Sequence, residues 1–340
     1  MALQNRTTAR RSSPKLVLLL LAALLLLSLA ASLLAGTTRL SLQEVLRALS
    51  DGDTKNAALR IFLYARLPRV LGGLMCGSGL AVAGAILQVV LNNSLAGPNI
   101  IGVNAGAGFA ALLVMALFPE RAALVPAAAF LGALACALLV YSIARATGAS
   151  RMTLVLAGVA VGCIINAASS TLKVLFPEII NTYSGFSIGT LNGVTLRQLG
   201  ASAPYLLLGI LAALLLGGSM DILALGDEMA RALGLRAERC RLLLILTAAV
   251  LAGASVSIAG LISFVGLLVP HIARSFLGSE NRLVIIGSAL LGASSVLLCD
   301  LLGRVLFAPF EISVGIILSL LGGICFIVLL LRRKGGKLYA

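Results

Sequence analysis

The sequence predicts an all-α polytopic membrane protein. Composition comes first: 60% of the 340 residues are hydrophobic and only 11% are charged, against about 25% charged in soluble domains. The mean hydropathy of +1.10 agrees. Arrangement comes second: apolar runs of membrane-spanning length alternate with short polar stretches that hold most of the 26 Lys and Arg residues. The net charge of +14 accompanies no RNA- or DNA-binding motif, so it reports topology and partners, with no nucleic acid among them.

The N-terminus carries Arg6, Arg10, Arg11 and Lys15 before an apolar run from Leu16 to Ala35. That run exceeds the roughly 7 to 15 residues of a signal-peptide core and lacks a small-residue cleavage site, so it reads as span 1, with residues 1–15 as an inner tail. Residues 36–66 form an outer polar segment with a helix expected after Ser41 as N-cap. Span 2 follows Pro68 and contains Gly72, Gly73, Gly77, Gly79 and Gly84; span 3 contains Gly102, Gly106 and Gly108. Such glycines allow helices to approach closely where lipid supplies no hydrophobic drive. Span 4 covers about 122–144 and span 5 about 152–172. A long outer loop leads to span 6 near 199–218.

The run from Leu242 to Leu277 is too long for one span and short for two. Arg332, Arg333, Lys334 and Lys337 should stay inside with the basic N-terminus, so the spans must be even in number. With spans 9 (284–302) and 10 (313–331) clear, the run becomes two short helices that turn near Ile258-Ala259-Gly260, giving ten spans in one domain over 16–331, with an inner tail over 332–340. Gly77–Gly84 (GSGLAVAG) resembles Gly253–Gly260 (GASVSIAG) in spans of opposite direction, the pattern of an inverted internal repeat.

The longest polar interruption of the second half is 226–241. Leu225, Met229 and Leu233 recur at i, i+4, i+8, while Asp227, Glu228 and Arg231 lie off that stripe and suit the helix dipole. Gly226 precedes this short amphipathic helix and Gly234 is placed to end it. It either lies on lipid headgroups or docks a partner.

Chemistry is sparse. No nucleophile–base pairing or phosphate-binding loop is present, so the chain reads as no enzyme; if ATP drives it, another subunit binds the nucleotide. Cofactors and metals are expected to be absent: the six cysteines are scattered and a lone His271 lacks companion ligands. Ionisable residues of the kind that couple secondary transporters to ions are nearly missing from the spans. Asp300 and Arg304 read as a local i, i+4 ion pair.

Taken together, these stretches resemble the membrane permease of FecCD-type ABC importers. The matching segments are Arg66-Leu-Pro-Arg69, Gly84-Ala-Ile-Leu-Gln88, Asn93 to Pro98 running into Ile101 to Gly106, and Leu156 to Ala160. They continue with Leu225-Gly-Asp-Glu228, Ala230 to Gly234, Gly260 to Gly266 with Pro270, His271 and Arg274, Asp300 to Arg304, and Glu311 to Gly315. They follow in the family's order from about residue 40 onward.

The resemblance implies uptake of a metal chelate: a ferric siderophore first, then haem or vitamin B12. It implies a multi-pass protein of the bacterial inner membrane with both termini cytoplasmic. It also implies a second permease subunit, with a homodimer the simpler pairing, two cytoplasmic ATPases carrying ATP and Mg, and an external substrate-binding protein. Leu225, Gly226, Asp227, Glu228, Met229, Arg231, Leu233 and Gly234 become the ATPase-coupling segment. Arg66, Arg69 and Arg304 become docking points for the binding protein, with headgroup anchoring as the plainer role of the first two. Asn93 and Leu95, with Ala149 and Ser150, match the cytoplasmic gates, or are ordinary turns. Asn93-Ser94-Leu95 lacks a proline that relatives carry between the Asn and the Leu. Asn166, Ser169 and Ser170 are candidates for the pathway wall, or for helix packing.

Overall fold

The computed structural model describes residues 13–36, 43, 47, 48, 50, 51, 56–148 and 150–334, and all the regular structure among them is helical. Helix α1 spans Pro14–Leu34. A turn at Ala57–Ile61, capped by Asn56, passes through a π-helical turn at Phe62–Arg66 into α2, Leu67–Val90. Then come α3, Val103–Leu117; α4, Val125–Ala146; α5, Arg151–Leu175; and α6, Ile179–Ile188. They are followed by α7, Leu196–Ala224; α8, Asp227–Ala232; α9, Ala237–Ala259; and α10, Val265–Leu277. Helices α11, Asn281–Val305, and α12, Val314–Lys334, complete the order. Seven of the helical segments are long and apolar enough to cross a membrane; Val103–Leu117, Val265–Leu277 and Val314–Leu329 are shorter apolar helices.

Helix α2 is the axis of the bundle, packed against α7, α9, α10 and α11. Its most apolar stretch is 83% buried against 17% for α1, which lies on the outside against α11. The glycines explain how so many neighbours fit around one helix. A Cβ on Gly77 would collide with the carbonyl of Gly292 in α11, and one on Gly292 with that of Gly77. A Cβ on Gly84 would strike the Gly266 carbonyl at the start of α10. Gly106 of α3 and Gly132 of α4 obstruct each other in the same reciprocal way. At these crossings the two backbones touch, which is the packing small residues permit in lipid.

Alternate loops gather at opposite ends of the bundle. Asp227, after α7, bonds to Arg151 and Arg241 at the starts of α5 and α9, and Asp221 near the end of α7 accepts from Asn281 at the start of α11. The other end collects Arg69 at the start of α2, Asp300 and Arg304 at the end of α11, and Glu311 before α12.

Two expectations change. The 242–277 run does not hold two short helices. Helix α9 is full length because it begins at Ala237, inside the charged stretch, where burial and pairing of Arg241 let the helix start earlier than the hydropathy did. Only α10, with 13 residues, is short. The break falls where expected: Gly260 has φ +72 and Phe264 φ +67. Leu261 donates its N–H to the Phe186 carbonyl at 2.9 Å, so the linker is stapled to α6. The outer loop before α7 is likewise not irregular, since it contains α6. The helix expected after Ser41 and the tails at 1–15 and 332–340 lie largely outside the described residues, and Ala149 lies outside them entirely.

Gly84→Val should remove about 1–3 kcal/mol or more of stability through overpacking. Gly218→Ala, where an added Cβ meets nothing within 4 Å, should be neutral. Thermal unfolding of the detergent-solubilised protein, followed by loss of the monodisperse species, separates the two.

Candidate functional site

Helix α8 has only six residues and stands because its ends are specified. Gly226, at φ +103, supplies the entry turn, and Gly234, at φ +79, the exit. The Leu235 N–H then reaches back to the Ala230 carbonyl at 2.9 Å. A side chain added at either glycine would have free space, so what those positions require is the backbone angle. Asp227 pins the helix: it accepts from Arg241 at 2.8 and 3.0 Å and from Arg151 at 3.3 Å. Burial alone would raise the Asp227 carboxyl. The hydrogen bond and charge of Arg241, with the charges of Arg151 and Arg231, outweigh it and hold the group below the ordinary carboxylate value.

The face α8 turns inward is Ala230, fully buried, while Leu225, Met229 and Leu233 are 63%, 54% and 58% exposed. The predicted apolar stripe therefore points away from the chain's own helices. Glu228 and Arg231 flank it, in the first and last turns.

At the opposite end the arginines are turned inward. Arg66, 5% exposed, donates to the carbonyls of Leu33 and Leu34, both at 2.7 Å. Arg304, 3% exposed, bonds Ser32 Oγ at 2.6 Å and Asp300 at 3.0 Å. Arg69 bridges Asp300 at 3.0 Å and Glu311 at 2.7 Å. The i, i+4 pair read from the sequence is present, and Arg69 shares its carboxylate. The three cations fasten α1, α2 and α11 together and line a small recess with Glu311, Tyr64 and Thr195.

Between these ends a groove of about 520 Å³ runs along α5. Asn166, Ser169 and Ser170 line it, joined by Asn99, Asn104, Cys163, Lys173 and Tyr183. Asn166 and Ser170 are exposed to it, whereas Ser169 is buried and bonds back to the Ile165 carbonyl at 2.9 Å. Close approach sets the shape: the α5 glycine Gly158 abuts the carbonyl of Ile100, which brings the short 3-10 turn Pro98–Ile101 before α3 deep into the bundle. At the end of the groove away from α8, Lys173 Nζ lies 4.8 Å from the centre of the Tyr183 ring.

The description "FecCD transport family" matches residues 24–332. The chain belongs to that family. It is 40% identical to the Fe(3+)-citrate import system permease protein YfmE of Bacillus subtilis over 78% of this chain and 80% of that one. It is 37% identical to the ferric enterobactin transport system permease protein FepG of Escherichia coli over 90% and 92%. An inward-facing conformation of a metal-chelate type ABC transporter superposes with a TM-score of 0.84 at 27% identity, covering 94% of this chain and 99% of that one. The chain is thus an integral membrane permease, a transport component of the FecCD type.

The turns expected to act as gates are placed as follows. Asn93 Oδ1 accepts the Leu95 N–H at 2.9 Å and the Asn93 carbonyl accepts from Ala96 at 3.0 Å, so a side chain closes the turn. Ser150 caps α5, accepting the Thr153 N–H at 3.1 Å. Sequence reading missed Arg151 as a partner of Asp227, since a contact 76 residues apart leaves no local signal. It missed Lys173 and Tyr183 because both fell in what read as loop. Among the described residues no cluster of metal-ligating side chains occurs.

Asp227→Asn should loosen α8. The pair joins a well-buried Arg241 to a carboxylate 37% exposed, so the loss should fall between the about 1 kcal/mol of an exposed pair and the about 3–5 kcal/mol of a buried one. Because folding depresses this carboxyl, its contribution is complete above the unfolded value near 4 and disappears as pH falls through the lower folded value. Amide exchange over 226–235 should be fast in the variant, and in the native protein its protection should be unchanged between about pH 5 and 8.

Proposed function

We propose that this chain is the membrane permease of an ATP-driven importer of a metal chelate, a ferric siderophore or ferric citrate ahead of haem or vitamin B12. One observation carries the coupling half of this reading: a short helix, anchored by Asp227, that presents Leu225, Met229 and Leu233 to the outside at the end where α5, α7, α9 and α11 meet their loops. An anchored helix with an unpartnered apolar stripe fits a groove on a cytoplasmic ATPase. ATP and Mg reside there, and Gly226 and Gly234 let the helix pivot against the bundle.

Seven helices of crossing length and three shorter apolar ones support a reading of ten crossings, with both termini in the cytoplasm of a bacterial inner membrane. An inverted repeat finds support in two pairs, α2 with α3 and α9 with α10. Each joins a long helix to a short one whose N-cap has positive φ, Gly102 at +74 and Phe264 at +67. Residues 16–331 form the single permease domain.

The groove on α5 is open on one side, and a second copy of the chain placed against it completes a pathway; Asn166 and Ser170 face the cargo and Ser169 stiffens the wall. The turns at Asn93 and Leu95 and at Ala149 and Ser150 close its inner mouth. Outside, the binding protein rests on the end that holds Arg66, Arg69 and Arg304. Since all three are already engaged, they hold that surface rigid, and a partner carboxylate gains Arg69 by displacing Glu311, its more exposed acid.

Lys173 decides the order of substrates. Among the residues lining the groove it alone is charged, and it meets an aromatic face in place of a carboxylate. An anionic ferric chelate is thereby favoured over a neutral one.

Replacing Leu225, Met229 and Leu233 together by Ser should abolish copurification with the ATPase while membrane insertion and melting temperature persist. Gly234→Leu should leave the ATPase bound but uncouple hydrolysis from uptake. Normal iron uptake in both variants would reject the coupling role. Lys173→Glu should cut uptake of anionic ferric chelates about tenfold and leave neutral ones nearly unchanged, on the scale of a charge-assisted contact. Transport assays with both chelate classes distinguish this from a general defect.

A further inference from the structure

A second groove has no place in the transport cycle. It measures about 820 Å³, lies between the first turns of α4 and α7 and the last turns of α9, and shares no lining residue with the groove of Asn166 and Ser170. Its size falls within the roughly 300–1,000 Å³ typical of ligand sites. Pro126, Ala127, Phe130, Leu131, Ala201 and Tyr205 form apolar walls, with the Phe130 and Tyr205 rings 4.9 Å apart at 39°. The floor is polar but satisfied: Ser202 and Ser257 bond each other at 3.1 Å, and Gln198 donates to the Ser257 carbonyl at 2.6 Å. Nothing there calls for water, so the groove suits a hydrocarbon chain.

The mouth has a charge. Arg197 lies in the first turn of α7, exposed, and makes no ion pair among the described residues. No carboxylate lines the groove. Glu120 and Arg121, immediately before the lining residue Ala122, offset one another, which leaves Arg197 to set the sign. From its mouth the groove runs into the exposed lipid-facing surface made by Leu131 on α4 and Leu207, Leu208 and Leu211 on α7. Depth matches as well: the lining runs from Ala122, in the turn before α4, to Leu131 on α4 and from Thr195, the cap of α7, to Tyr205 on α7, about three turns, or roughly half the hydrocarbon thickness.

We infer that this groove holds one anionic phospholipid, its acyl chain along Phe130 and Tyr205 and its phosphate at Arg197. A cation at headgroup level above an apolar slot one leaflet deep complements such a lipid at both ends. The outer leaflet follows from the orientation proposed above; the site itself rests only on the fold. Bound there, the lipid lies across α4, α7 and α9 and adds to the Gln198 and Ser202 bonds that join α7 to α9.

The full chain can be purified from membranes, equilibrated with equal phosphatidylglycerol and phosphatidylcholine, stripped of bulk lipid and examined by native mass spectrometry. One phosphatidylglycerol should be retained per chain, about fivefold over phosphatidylcholine, as one surface cation supports. Arg197→Gln should bring that ratio near one with the melting temperature in lipid-free detergent unchanged. Ala201→Trp, filling the slot, should remove both lipids. Equal retention of the two lipids by the native protein, or an undiminished preference in Arg197→Gln, overturns the assignment. Displacement by inorganic phosphate would mark a simple anion site, and loss of the lipid on assembly with partner subunits would mark a protein interface; either result also refutes it.

Discussion

Backbone contact at glycine governs this molecule. Within hydrocarbon, helices gain nothing by hiding apolar side chains from one another, so what holds them is dispersion at short range and the few polar groups that reach across. Dispersion decays steeply with distance, and a side chain between two backbones removes most of it. The reciprocal contacts Gly77–Gly292 and Gly106–Gly132, with Gly84 against Gly266, let α2 and α3 touch their neighbours directly. Each contact also fixes register, because a shift of one residue along α2 would put Cys76 or Ser78 where Gly77 must be. Helix α2 can therefore be buried nearly from end to end although few of its residues are large.

Electrostatics finishes what the glycines begin, and does so differently at the two ends. The cluster at the Arg304 end is dense and internal, with Asp300 between Arg69 and Arg304 and Arg66 spent on carbonyls of α1. Charges so buried hold only as a set, since removing one leaves the others desolvated and unpaired. The cluster at the α8 end is lighter. Asp227 is partly solvated, and two arginines from different helices reach it. One end locked by salt bridges and a short helix tethered at the other suit the coupling role proposed for α8, since motion applied there would reach α5 and α9 through Arg151 and Arg241.

Most of the helical layout was legible in the sequence because hydropathy and charge act over windows as long as a helix. Each of the ten expected spans falls on a helix, seven of them long and apolar enough to cross a membrane, and Gly226, Gly234 and Gly260 lie at the turns their chemistry implied. What escaped was set by tertiary contact. Helix α9 starts at Ala237 because Arg241 is buried against Asp227, and a basic residue in a polar stretch reads as loop until its partner is known. Helix α6 escaped since Ile179–Ile188 is too short and too mixed to show a period. The outer arginines were recognised as important, but their inward orientation depended on carbonyls at Leu33 and Leu34, which carry no signature of the bonds they make.

The polar content of the groove follows from the same economy of side chains. Once Gly158 has drawn the Pro98–Ile101 turn against α5, Asn99 and Asn104 arrive in the wall with Asn166 and Ser170. Amides and hydroxyls of this kind can bond a chelate's oxygens without binding its metal. Carboxylates or imidazoles there would compete for ferric iron and hold it, whereas amides and hydroxyls release it as easily as they accept it. A pathway must let its cargo leave; if the groove serves as one, as proposed above, a neutral wall with Lys173 at one mouth would attract an anionic chelate at entry without trapping it farther in.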